Sequence, residues 1–136
     1  MAAELDPVVK ELLEGANFVA LSTLTADGAP HATTVWGTIE DDRPCFFTQP
    51  TSPKARNLAR DPRVAMTVYD RENPYRTGQL RGSVERVVEG DAALQIIDRL
   101  SQKYTGKDFP IRSGVVYLID VSYSHSLELP FEDTPG

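Results

Sequence analysis

Mainly β with helical covers, closing into a small barrel, is the fold class that this sequence predicts, and three observations predict it. Six or so short runs, alternating or apolar and each bounded by turn residues, read as strands, while only three segments carry helical signals. The first strands are joined by tight turns at Ala26-Asp27-Gly28 and at Glu40-Asp41-Asp42-Arg43, which favours antiparallel neighbours. The helices are spaced too irregularly for a repeated βαβ unit, and neither GxGxxG nor GxxxxGK[ST] occurs. Many short strands leave open edges unless the sheet closes, so a closed or nearly closed barrel of mostly antiparallel strands follows.

Each element has its own justification. Asp6-Pro7 is a cap followed by a proline at the first helical position, opening a helix that ends near Gly15 with Val9, Leu12 and Leu13 on one face. NFVALSTL then alternates as a strand, and PHATTVWGTI follows the Asp-Gly turn, with Pro30 at a strand start where a missing ladder bond is tolerated. PCFFT is the third strand, VAMTVYD the fourth, and RENPYRTG a polar loop between it and the long fifth strand QLRGSVERVVE. Gly82 inside that strand marks a bulge or a close backbone approach. DAALQIIDRLSQKY is the clearest helix: Asp91 is placed to cap it, and Ala93, Ile96, Ile97, Leu100 and Tyr104 form one stripe. GKDFPIRS reads as a loop, VVYLIDVSY as the last strand, and LPFEDTPG as a patternless end.

Length and composition bound the function. The 136 residues read as one domain, 1–136, with residues 1–5 and 130–136 expected to be flexible ends. A formal net charge of -6 argues against broad binding to nucleic acid, which needs many basic contacts. Cys45 is the only cysteine, so no disulfide forms within the chain, and its neighbours Phe46 and Phe47 make it a packing residue. The acidic, interrupted start is unlike a signal peptide and no apolar run is long enough to span a bilayer, so a cytoplasmic location is expected. His31 and His125 stand in different strands with no cysteine pair or HExxH helix, so no metal site is expected. No GxSxG elbow and no paired carboxylates are present, so no side chain is assigned a catalytic role.

One short stretch stands apart in this acidic chain. TSPKARNLARDP gathers Lys54, Arg56 and Arg60 on a turn and helix. Ser52 caps it, Pro53 occupies its first position, and Asp61-Pro62 stops it. The first turn of such a helix presents backbone N–H groups with partial positive charge, here beside Lys54, which suits an anion and most naturally a phosphate. Lys54 and Asn57 are three apart and share a face, Arg56 projects elsewhere, and Ala55, Leu58 and Ala59 supply the apolar side.

With these pieces in order, the chain resembles the split β-barrel flavin and deazaflavin oxidoreductases, the superfamily of pyridoxamine 5'-phosphate oxidase. The resemblance runs from about Phe18 to Tyr123 and is carried by LSTLTADGAPHATTVW, SPKARNLARDPRVAMTV, QLRGSVERVV, SQKYTG and VVYLIDV. It is nearest to the actinobacterial branch that uses the deazaflavin coenzyme F420. It implies an FMN-binding-protein-like split barrel, and a homodimer with the cofactor in a groove at the subunit interface. It implies cofactor contacts from Ser52, Lys54, Ala55, Arg56 and Asn57 at the phosphate, and from Thr34, Val35 and Trp36 beside the ring. Thr48 and Gln49 would border the ribityl chain, and Tyr75 would come from the partner subunit. Several members carry arginine where this chain has Ser52. The activity implied is hydride transfer between F420 and a small organic acceptor, with FMN in the same fold as the alternative cofactor. A non-catalytic cofactor carrier is the further alternative, and it predicts binding without turnover.

Overall fold

The computed structural model describes residues 4–131; the rest of the expected flexible ends, residues 1–3 and 132–136, lies outside the described residues. The order of elements is α1 (Pro7–Glu14), β1 (Phe18–Leu24), β2 (Pro30–Glu40), β3 (Arg43–Thr48), α2 (Pro53–Arg60), β4 (Arg63–Tyr69), β5 (Arg76–Val88), α3 (Gly90–Thr105) and β6 (Val115–Glu128). The strands close into a barrel in the order β1-β2-β3-β6-β5-β4, and every pairing is antiparallel. The mainly β architecture with helical covers read from the sequence is the one observed.

Three local expectations need correction. The fifth strand starts at Arg76 rather than Gln79, and the last continues to Glu128 rather than ending at Tyr123. The two pair with each other over that extra length, from Arg76 opposite Glu128 to Gly78 opposite Ser126, so a polar sequence is held extended by its partner strand. Asp91 does not cap α3: the cap position is two residues earlier, at Glu89, and no side chain caps the helix. The reason is Gly90, whose positive φ of 66° redirects the chain at the helix start. Ala59 is exposed, and the buried side of α2 is Ala55, Asn57 and Leu58.

The barrel interior is filled by alternating residues such as Val19, Leu21, Phe46, Met66, Val68, Leu80 and Ile119. One end is plugged by α1, whose Val9, Leu12 and Leu13 are almost fully buried. The plug seats on Gly78: a Cβ there would lie 2.9 Å from the Val9 side chain and 3.4 Å from its Cα. Gly82 is both things its position suggests, since the β5–β6 register shifts beside it and a Cβ would lie 2.2 Å from the Asp120 carbonyl oxygen. A smaller core forms where α3 lies on β3 and β6, around Cys45, Ala93, Ile97, Val116 and Leu118, with Phe47 and Phe109 at its margin. Desolvation there pushes the Cys45 thiol up to about 12. Among the described residues no helix is long and apolar enough to cross a membrane.

Candidate functional site

A cleft of about 340 Å3 opens between the barrel wall, the start of α2 and the segment 106–114. Its polar end is made by Thr48, Gln49 and Lys54, and β2 lines it at the exposed Thr34 and at Val35, whose side chain is buried in the barrel core. Phe18, Trp36, Phe47, Phe109 and Ile111 make the opposite, apolar wall.

The polar end is built by the capping chemistry of α2. The Ser52 hydroxyl accepts from the Ala55 backbone N–H at 3.1 Å and from the Thr48 hydroxyl at 2.8 Å, which ties the helix start to the end of β3. Neither contact uses the Ser52 proton, although Ser52 itself stands behind Thr48 and Lys54 and is not among the residues lining the cleft. Among the described residues Lys54 has no carboxylate partner. An unpaired ammonium, a hydroxyl and a helix start form a donor set suited to a phosphate.

The remaining residues of the sequence-level site sit differently. Ala55 is buried, and its N–H is taken by the cap. Arg56 reaches back to the Thr51 carbonyl at 2.5 Å and is not among the residues lining the cleft. Asn57 does not share an open face with Lys54. It is buried, donating to the Thr23 hydroxyl at 3.0 Å and accepting from Arg60 at 2.7 Å, so it anchors α2 to β1. Tyr75 lies outside this cleft, edge-on to Phe131 with ring centroids 5.6 Å apart. The Gln49 side chain is committed to Ser113: its amide donates to the Ser113 carbonyl at 2.8 Å and its oxygen accepts from the Ser113 hydroxyl at 2.7 Å.

The apolar wall is centred on Trp36. One face of its ring is covered by Tyr104, stacked at 5.1 Å and 7° from parallel, and Phe47 and Phe109 meet it edge-on at 6.1 and 6.0 Å. The Tyr104 hydroxyl donates to the Asn17 carbonyl and accepts from the Gly37 N–H at 3.2 Å. Burial raises its pKa. Beside it, the Lys103 ammonium donates to the carbonyls of Leu13 at 2.9 Å and Gly37 at 2.7 Å, and burial pulls its pKa down to about 8. The last turn of α3 thus clamps β2 immediately after Trp36.

Phe18, Phe47, Phe109 and Ile111 are missing from the site that the sequence suggested. Strand alternation was a usable signal for Phe47, since Phe46 points inward. The Phe-Pro-Ile run in an otherwise polar loop was a usable signal for Phe109 and Ile111. Two larger grooves, of about 590 and 670 Å3, lie on the outward face of β1, β4 and β5, walled largely by short side chains such as Ala20, Ser22 and Ala65. The second of them also holds Arg81, stacked over Tyr123 at 4.6 Å, but neither contains a capped helix start.

A closed, six-stranded antiparallel barrel with a cleft at its side defines the class of protein by its fold. The family described as pyridoxamine 5'-phosphate oxidase matches residues 5–124, and the chain belongs to that family. A pyridoxine/pyridoxamine 5'-phosphate oxidase of Pseudomonas paraeruginosa is 39% identical over 85 residues, 59% of this chain. The match spans only 38% of that protein's length. Among solved structures, one described as an F420 reductase is 28% identical with a TM-score of 0.76, covering 85% of this chain and 94% of that one. A pyridoxamine 5'-phosphate oxidase-related FMN-binding protein of Nostoc punctiforme, 18% identical with a TM-score of 0.65, covers 86% of this chain and 76% of its own and shows the shared fold. The fold is that of the FMN-binding split barrels, and the family is consistent with a flavin- or deazaflavin-binding oxidoreductase.

Proposed function

We propose that this protein is an FMN-dependent oxidase or reductase whose cofactor phosphate binds at Ser52 and Lys54 and whose ring lies along Thr34 and Val35 against the aromatic wall. The observation that carries the reading is the cleft's polarity, an unpaired lysine at a capped helix start facing a wall of aromatic rings. The family match over most of the chain supports a flavin nucleotide. F420 is the second reading, favoured by the 28% identical F420 reductase structure. FMN, when bound, would supply two-electron redox chemistry that side chains of this kind do not possess.

The chain's own residues have narrower tasks. Lys54 and the Ser52 hydroxyl hold the phosphate, the β2 backbone at Thr34 and Val35 sets the ring's height, and Phe47 with Phe109 keeps water from its edge. A small organic acceptor completes the reaction. A second copy of the chain would cover the outward sheet face, where Phe18, Tyr69, Tyr123 and Leu127 are exposed, and Tyr75 would reach the site from that copy.

The test is a paired titration of the purified protein with FMN and with F420, read by ring fluorescence, in wild type and Lys54→Ala. Binding of FMN that Lys54→Ala weakens by roughly 1–3 kcal/mol, the scale of a charged hydrogen bond, supports the assignment. Preference for F420 with the same lysine dependence moves the protein to the second reading. Binding of either cofactor that ignores Lys54 refutes the phosphate site, and binding without turnover of any acceptor makes the protein a carrier.

A further inference from the structure

The segment 106–114 joins α3 to β6 without regular structure, yet it is fastened at both ends. Near its middle, the Asp98 carboxylate on α3 accepts from the Phe109 backbone N–H at 3.2 Å. It also accepts from both terminal nitrogens of Arg112, at 2.8 and 3.0 Å. Arg112 in turn donates to the Phe109 carbonyl at 2.8 Å. Toward β6, Ser113 is clasped by Gln49 through two hydrogen bonds. Gly114 allows the final turn, because a Cβ there would lie 2.5 Å from the Ile97 side chain.

These ties have one product. They press Phe109 against Phe47 at 5.1 Å and against Trp36, and leave Ile111 about half exposed over the cleft. They also hold the Arg112 guanidinium on Asp98, and Arg112 is not among the residues lining the cleft.

We propose that 106–114 is a specificity wall selecting a flat, uncharged ring, and that Asp98 is a positioning residue which sets the wall and sequesters Arg112. This deepens the cofactor reading above and rests on it only in calling the selected ring the cofactor's. The wall and its latch can be tested in the cofactor-free protein. Trp36 is the only tryptophan, and it touches Phe109, so its emission reports the wall directly.

The experiment measures Trp36 emission, its quenching by acrylamide, and its quenching on titration with two probes. The probes are menadione, which is flat and neutral, and naphthoquinone-2-sulfonate, which adds one negative charge to a similar ring. Because Lys54 lines the same cleft and can hold a sulfonate, the readout is each variant's change in the two affinities, not the wild-type preference itself. Asp98→Asn should expose Trp36 to acrylamide and weaken menadione about fivefold, the scale of one exposed ion pair lost. The same variant releases Arg112, so the sulfonate should bind more tightly than in wild type. Arg112→Gln should weaken menadione without that gain, and Asp98→Glu should restore much of both wild-type affinities. A merely structural Asp98 would weaken both probes together, and that result would overturn the proposal. Unchanged Trp36 quenching in both Asp98→Asn and Arg112→Gln would overturn it as well. Loss of the Lys54-dependent cofactor binding would end the functional reading but would leave the changes in probe affinity to decide the wall.

Discussion

The two ends of the cleft are built in opposite ways. The polar end comes from seven consecutive residues, Thr48 to Lys54, where a strand stops, a serine caps a helix and a lysine follows the cap. The apolar wall is assembled from residues as far apart as Phe18 and Ile111, brought together by β1, β2, β3 and the segment after α3. The lesson concerns energetics as much as legibility. A locally built end can lose one side chain with little cost to the fold, whereas the wall is continuous with packed core and cannot.

The largest effect should therefore come from the wall. Tyr104→Ala removes the ring stacked on Trp36 and the hydroxyl that holds Asn17 and Gly37, and should lower stability by about 3 kcal/mol, the usual scale for truncating a buried aromatic. Chemical denaturation followed by far-UV dichroism measures this. Loss of less than half that amount would break the contrast between the two ends.

A smaller effect is expected at the polar end. Ser52→Ala deletes the cap of α2 and should cost about 1 kcal/mol of stability. Ser52→Thr, which keeps the hydroxyl, should recover most of it. If the alanine variant costs as much as Tyr104→Ala, the start of α2 is no more separable from the core than the wall.

A third effect is a slope in pH. Burial holds Lys103 at about 8, below the ordinary 10.5, so between those values the unfolded chain binds more protons than the folded one. Stability should accordingly rise as pH rises through that window. The two carbonyl contacts survive the change, because a neutral amine still has two N–H donors. Lys103→Met should flatten the slope in denaturation midpoints measured across the window. A stability that falls with pH, or a slope that persists in Lys103→Met, would place the titration elsewhere.

What could be read from the sequence follows the range of the interactions involved. The strands, the three helices, the turns at 26–28 and 40–43 and the capped start of α2 were legible, because each depends on neighbours within a few residues. Their meaning was less so. Asn57 looked like a partner for Lys54 by helical spacing alone, but the position of β1 draws it inward to Thr23. Asp91 looked like a cap by residue type, but α3 starts at Gly90, with the cap position at Glu89. RENPYRTG looked like loop to its end, but its last residues pair with a β6 that outruns its own apolar pattern.

The sequence by itself determined that this chain forms a small antiparallel barrel with a phosphate-suited helix start at residues 52–54, since periodicity, turns and caps are local and add up along the chain. Only the tertiary structure decided what faces that helix start. Phe18, Trp36, Phe47 and Phe109 are separated by up to 91 positions (109 minus 18), and no local rule relates them. They meet because closing the barrel brings β1, β2 and β3 edge to edge and lays α3 with its trailing segment across them, and burial of their rings rewards that arrangement wherever they stand in the chain.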